Sequence, residues 1–220
     1  MSEPESLSLR IWYGLQRIFA ALLLVLLSPL FVLLFALVRM TSPGPAFYSQ
    51  VRPGLFGGSI RVWKFRTMRP GSDKDLSKAR GVQSSDPLVT PIGRILRQLK
   101  FDELPQLWNI VRGEMSFVGP RPIARPLYEE LCREIQGFEQ RLSVRPGLTN
   151  VGQVCIEENA RQDRVIDDWK LRFESEQHYF RGRSPYYDCV VIGLTALYIL
   201  RKVWLALPFP RSGPLRQPSA

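Results

Sequence analysis

IFAALLLVLLSPLFVLLFALV, residues 18–38, is a run of 21 residues without a charge, and how it is read decides the fold. A helix of that length reaches roughly 30 Å, the thickness of a bilayer's hydrocarbon. Ser28-Pro29 interrupts the run near its middle. Proline removes a backbone donor and crowds the carbonyl four residues back, here that of Val25. The Ser28 hydroxyl is placed to bond back to a carbonyl so freed. Local physics leaves two topologies open. One is a kinked spanning helix, which tolerates proline. The other is a re-entrant helix-break-helix that enters and leaves on one face, with Arg17 and Arg39 both among headgroups. Basic residues flank both ends, so charge asymmetry sets no orientation. A cleaved signal peptide fits poorly, since Arg39-Met40-Thr41-Ser42-Pro43 follows in place of a small-residue cleavage site.

Outward from this run, the charge is one-sided. Ser6 to Ser72 contains no Asp or Glu, while Arg10, Arg17, Arg39, Arg52, Arg61, Lys64, Arg66 and Arg69 are basic. The 220-residue chain carries a net charge of +10, which selects anionic partners. Basic residues beside an apolar segment suit anionic membrane lipids better than nucleic acid. A hydrophobic content of 45% argues against bulk disorder. Cys132, Cys155 and Cys189 are too widely spaced for a disulfide framework or a CxxC site, and read as reduced thiols.

Ile11 to Leu27 reads as a helix after a frayed start over residues 1–9. Phe47 to Val51 and Ser59 to Phe65 read as two strands, with Arg52-Pro53-Gly54 and Gly57-Gly58 supplying the turn. Pro70 to Val89 is polar and turn-rich, a mobile loop. Gly93 to Phe101 is apolar and basic at helical spacing. A new helix follows, with Asp102 as N-cap, Pro105 in its first turn and Gly113 past its end. Ser116 to Pro122 is a tight loop, Leu127 to Leu142 an amphipathic helix, and Arg145-Pro146-Gly147 a break. Asn159 to Phe180 mixes both charges in the manner of a solvated helix face. Cys189 to Leu200 is an interfacial or core helix, and residues 208–220 a disordered tail. The fold class is α+β, mostly helical, with one small β-hairpin. Its parts are a membrane segment over 1–40, a folded body over 41–207 and the tail.

Two places carry chemistry. Asp102-Glu103 follows basic residues and opens a helix, where free amide donors, the dipole and nearby Arg97 favour an ionised carboxylate and a lowered pKa. Such a group is a nucleophile toward phosphorus or a ligand for Mg²⁺, or else a plain N-cap. In Gly119-Pro120-Arg121-Pro122, two prolines restrain an arginine whose guanidinium could fork onto phosphate; a rigid surface loop is the alternative. His178, the single histidine, reads as a surface residue. Walker A, GxGxxG, GxSxG and metal-spaced His/Cys patterns do not occur, which removes kinase, Rossmann and hydrolase readings.

The order of the pieces resembles the small monotopic phosphoglycosyl transferases, the catalytic core of the bacterial sugar transferase family. Those pieces are Leu27-Ser28-Pro29, Arg52-Pro53-Gly54, Lys64-Phe65-Arg66-Thr67-Met68, Asp102-Glu103-Leu104-Pro105-Gln106-Leu107, the run from Gly113 to Pro122, and Val144-Arg145-Pro146-Gly147-Leu148-Thr149. The resemblance extends from about Ile11 to about Leu205. It implies transfer of a sugar 1-phosphate from a UDP-sugar to polyprenyl (undecaprenyl) phosphate, the initiating step of glycoconjugate synthesis. Asp102 would be the nucleophile, Glu103 its partner, Mg²⁺ held partly by Asp102, and Arg121 a phosphate contact. Arg97, Lys64, Arg66, Pro120 and Pro122 are the further candidates for binding substrate. The resemblance also implies that Ser28-Pro29 is the break of a re-entrant helix on the cytoplasmic face of the inner membrane. Larger relatives carry spanning helices ahead of this core, so the chain reads as the minimal form; an oligomer stays open. The family's usual Gly-Trp-Ala-Gln-Val-Asn-Gly-Arg after Thr149 is here Asn150-Val151-Gly152-Gln153-Val154-Cys155-Ile156-Glu157, which bears on donor preference. The competing readings are a catalytically silent relative and a non-enzymatic basic scaffold on the membrane surface.

Overall fold

A computed structural model describes residues 6–71, 86–155 and 165–206. Most of the 70–89 loop and all of the 208–220 tail expected above lie outside the described residues.

Helix α1, Leu7–Leu26, starts on the Ser6 side chain, which accepts from the Leu9 amide. At Leu27 the chain leaves helical geometry (φ −85°, ψ 2°), and α2 resumes over Ser28–Thr41 with Pro29 in its first turn. The Ser28 hydroxyl donates to Val25 O at 2.7 Å, replacing the amide that Pro29 lacks. α1 buries Leu9, Tyr13, Gln16 and Ala20, one face at helical spacing, and packs mainly on α4 (Leu107–Val111). α2 buries Leu34 and Val38 against α3 (Pro91–Gln98) and the hairpin. Around the break, Leu22, Val25, Leu26, Val32 and Leu33 are exposed. By length and composition α1 is the one helix among the described residues apolar enough to cross a membrane.

The hairpin pairs β1, Phe47–Pro53, with β2, Ser59–Phe65, in antiparallel register from Phe47↔Phe65 to Pro53↔Ser59. β1 therefore runs two residues beyond its expected end, and Arg52 lies in the strand, not in the turn. Proline is tolerated there because a two-stranded sheet is all edge. α3 begins two residues early, on Pro91, because Thr90 caps it by accepting from the Gly93 amide at 3.0 Å.

Leu127 to Leu142 is not one helix: α5 covers Arg125–Glu134, Gly137 turns the chain at φ +77°, and a 3₁₀ turn spans Phe138–Ser143. Ser116 to Pro122 is not wholly loop. β3, Ser116–Val118, pairs in parallel with β4, Gly147–Thr149, through the segment expected to be a break. Gly119 and Gly147 touch backbone to backbone, and a Cβ on either would collide with the other. α6 is Val151–Cys155, α7 is Val165–Gly182 and α8 is Pro185–Ala206. α8 runs unbroken through Arg201-Lys202, with Val191 in the core and Leu194, Leu197, Leu200 and Trp204 exposed.

One core cluster joins Ala20, Ile60, Val62, Leu107, Ile110, Met115, Val118, Tyr179 and Val191, and so packs α1, β2, α4, β3, α7 and α8 together. A second joins α2, β2 and α3 through Leu34, Val38, Phe65 and Leu96; a third joins α5 and α7 through Leu131, Phe138 and Phe173. Asp188 fastens α8 to α1, accepting from Trp12 Nε1 at 2.7 Å and Gln16 Nε2 at 3.2 Å, and to α7 through the Tyr179 hydroxyl at 3.1 Å.

Candidate active site

Lys100 ends α3 by adopting the left-handed region at φ +59°, and the chain tightens into a 3₁₀ turn over Phe101–Gln106. Asp102 is therefore not an N-cap; Lys100 occupies that position and Asp102 lies in the first turn. α4 follows and ends, as expected, at Gly113 with φ +75°. Buried Asn109 locks α4 to β2, donating to Arg61 O at 2.7 Å and accepting from the Trp63 amide at 3.3 Å. It also donates to Glu114 Oε2 at 2.7 Å. These bonds set the acidic turn against the end of β2 that carries Lys64.

Glu103 is the hub. Its Oε1 accepts from Lys64 Nζ at 2.7 Å and Arg121 Nη2 at 2.6 Å, and its Oε2 from Arg121 Nη1 at 3.2 Å. Burial pushes this carboxyl up, but the charges of Arg121 and Lys64 and the fork from Arg121 hold it well below the usual range. Asp102 goes the other way. Burial raises its pKa and the Glu103 charge adds to that, against Lys64. The lowered pKa expected for Asp102 is thus reversed, because loss of water outweighs the nearby cations. Asp102 Oδ1 is buried without a hydrogen-bond partner. Burial also pulls the Lys64 ammonium below its ordinary value, with Glu103 opposing.

Arg52 is a third cation at this site, unforeseen as a site residue although its Arg-Pro-Gly run stood out. It donates from Nη1 to Pro122 O and from Nη2 to Gln50 Oε1 at 3.1 Å. Burial and the Arg121 charge bring its pKa down to about 10. Its Nε is buried and unpartnered. Lys64 and Arg121 thus contact Glu103 directly and the Arg52 charge acts with them, a local cationic excess suited to an anionic substrate. A shallow depression beside Arg121 is lined by Pro53, Gly54, Pro120, Tyr128 and Arg141 among others.

The other candidates are spread more widely. Arg97 on α3 donates to Thr67 Oγ1 at 2.9 Å and its charge reaches Asp102. Arg66 is turned to the α2–β1 connection, donating to Pro43 O at 2.6 Å and to Ser42 O and Oγ at 2.8 Å. Pro120 and Pro122 flank Arg121 directly. His178 is exposed.

Among the described residues no group of three or more His, Cys, Asp or Glu could hold a metal ion. Magnesium does not require such a group, since one or two carboxylates plus substrate phosphates and water suffice. The unpartnered Asp102 Oδ1 fits that donor set.

A family model described as bacterial sugar transferase matches residues 10–202. A UDP-glucose:undecaprenyl-phosphate glucose-1-phosphate transferase of Klebsiella pneumoniae is 38% identical over 178 residues, 81% of this chain and 37% of that protein. A UDP-N-acetylgalactosamine-undecaprenyl-phosphate N-acetylgalactosaminephosphotransferase of Aeromonas hydrophila is 33% identical, over 85% of this chain and 43% of its own. The exopolysaccharide production protein ExoY of Sinorhizobium fredii is 37% identical, over 79% of this chain and 78% of its own. The chain thus spans roughly two fifths of the first two relatives, 37% and 43%.

Proposed function

The chain belongs to the bacterial sugar transferase family, and on that premise we propose that it moves a sugar 1-phosphate from a UDP-sugar to undecaprenyl phosphate through a covalent aspartyl intermediate. The observation that carries the reading is the pair of adjacent buried carboxylates in opposite states. Glu103 is tied by Lys64 and Arg121, while Asp102 keeps an unpartnered oxygen. A carboxylate with one oxygen not spent on hydrogen bonds, in a buried site, is a competent nucleophile.

Ionised Asp102 attacks the β-phosphorus. The bond from that phosphorus to the bridging oxygen breaks, UMP leaves with the oxygen, and an acyl phosphate remains on Asp102. An oxygen of undecaprenyl phosphate then attacks the same phosphorus, and the Asp102–phosphorus bond breaks to regenerate the carboxylate. Lys64 and Arg121 stabilise the charge that gathers on the phosphoryl oxygens, and Glu103 holds both in place before substrate arrives. Mg²⁺, held by Asp102 together with the diphosphate, would neutralise that oxygen charge further.

The topology suits this chemistry. α1 and α2 both dock on the body that carries the acidic turn, through Tyr13 and Ala20 on one side of Leu27 and Leu34 and Val38 on the other. A straight spanning helix would carry one of those surfaces away from the body. We therefore read the segment as re-entrant and the body as lying on the cytoplasmic face, where a soluble nucleotide-sugar meets an acceptor confined to lipid.

The test is release of UMP by the full chain in nanodiscs holding undecaprenyl phosphate, across UDP-sugars that include UDP-glucose and UDP-N-acetylgalactosamine. Without acceptor, intact-mass spectrometry should find one phosphosugar adduct on wild type and none on Asp102→Asn. The variant should fold and stay membrane-bound but release no UMP above background. Wild-type-like turnover by Asp102→Asn would remove the nucleophile assignment, and a wild type silent on every donor would favour the inactive-relative reading.

A further inference from the structure

Arg121 meets Glu103 through a fork, and a fork works only if its stem is aimed. The prolines on either side restrain its backbone, but restraint of φ alone does not fix where a long side chain points. They also lack amide hydrogens, so the segment cannot brace itself through Pro120 or Pro122. Its three successive carbonyls are held from outside, by three different parts of the fold. Pro120 O accepts from the Gly147 amide at 3.0 Å, Arg121 O from Arg141 Nη2 at 2.9 Å, and Pro122 O from Arg52 Nη1.

Of the two side-chain donors, Arg141 is the more deeply placed. It and Glu176 are both buried and form a double bond of charge, Nε to Oε2 at 2.5 Å and Nη2 to Oε1 at 2.9 Å. The rings of Phe138 and Trp169 lie 4.7 and 5.0 Å from its guanidinium carbon. Arg141 thus spends one nitrogen, Nη2, on both Glu176 and the Arg121 carbonyl. Stability alone is a weak reason for such a pair, since apolar packing of equal volume usually serves as well as a buried ion pair. The bond to the Arg121 carbonyl is what apolar packing could not supply.

We propose that Arg141, braced by Glu176, is a positioning residue of this site: by holding the main-chain carbonyl of Arg121 it keeps that guanidinium forked on Glu103. Its kinetic consequence rests on the phosphoryl-transfer reading; its geometric consequence does not. Lysine at this position keeps a cation facing Glu176, so the fold is retained, but one ammonium cannot reproduce a planar fork and a third bond in fixed directions.

The experiment has two arms, both on the full chain in nanodiscs. In the first, Arg141→Lys and Glu176→Gln are each made in wild type and in an Arg121→Lys background. Arg141→Lys should lower kcat/KM for UMP release at least tenfold in wild type and less than twofold in the second background, where the fork it aims is already gone. Glu176→Gln should follow the same pattern with a smaller fall. Equal losses in both backgrounds, or no loss in wild type, would overturn the proposal by reducing the pair to fold support. In the second arm, arginine-selective ¹⁵N labelling follows proton exchange at the Arg121 guanidinium, assigned by its disappearance in Arg121→Lys. Exchange should be at least tenfold faster in Arg141→Lys, and an unchanged rate overturns the proposal whatever the activity. A wild type that releases no UMP refutes the reaction instead, and the second arm still decides the positioning.

Discussion

Asp102 and Glu103 are chain neighbours with the same functional group, yet one is pushed up the pH scale and the other well down it. Burial acts on both, so the difference lies in who answers it: Lys64 and Arg121 close on Glu103, whereas Asp102 Oδ1 has no hydrogen-bond partner. On the proposed mechanism attack needs ionised Asp102, so activity should rise with pH through its raised pKa, placing the acid limb of kcat/KM above the ordinary carboxylate range of about 4. Glu103→Gln removes a neighbouring negative charge, which favours the ionised form of Asp102 and lowers its pKa. The limb should therefore move to lower pH as the plateau falls. A pH–rate profile of the two proteins checks the sign, and a limb that stays or rises counts against Asp102 as the titrating group. That the pair opens a helical turn behind a basic run was legible from the chain. The direction of the Asp102 shift was not, because Arg97 and the helix start were visible in the chain and the depth of burial was not.

Among the elements, the shortest were the least legible in the chain. The β1–β2 hairpin and the end of α4 at Gly113 were readable from alternation and glycine placement, since each is decided by the residues within it. β3 and β4 have three residues apiece, too few to display a period, and parallel pairing needs a partner about thirty residues away. Their contact rests on Gly119 and Gly147, whose backbones meet where no side chain fits. Gly147→Ala should force them apart, at a cost of about 3 kcal/mol, or a fall in Tm of roughly 6–12 °C for a protein of this size. Activity should fall with it, since Gly147 also donates to Pro120 O beside Arg121. Gly182→Ala, where an added Cβ meets nothing within 4 Å, is the control and should melt within about 1 °C of wild type. Equal melting temperatures for the two variants would mean that the strands do not need the close approach.

At the scale of the molecule, the helix break lets α1 and α2 both dock on the same body. Ser28→Ala with Pro29→Ala restores an unbroken apolar helix with its backbone bonds satisfied internally, the form a bilayer accepts as a span. A straight helix cannot keep both Tyr13 and Leu34 docked on one body. The double variant should therefore undock one half, lose most of its UMP release, and send a share of its N-termini across the membrane. Ser8→Cys and Gln136→Cys, each in a background without the natural cysteines, read this with an impermeant thiol reagent on intact cells. Both should stay unlabelled in the unaltered helix, and Ser8→Cys should label from outside in the double variant. Outside labelling without the Ser28 and Pro29 changes would refute the re-entrant topology, whatever the enzyme assay finds.

The break at Leu27, the hairpin and the acidic turn were all decided between near neighbours in the chain, where sterics, missing amides and side-chain capping act over a few residues. Convergence was decided elsewhere. Lys64 and Arg121 reach Glu103 from 39 and 18 residues away, and Arg141 finds Glu176 across 35. Which carboxylate is neutralised, which stays unpartnered and which arginine is spent on a carbonyl follow from distance and burial between such remote groups. For given charges, Coulomb and desolvation energies are set by those two quantities, and neither exists until the chain has folded.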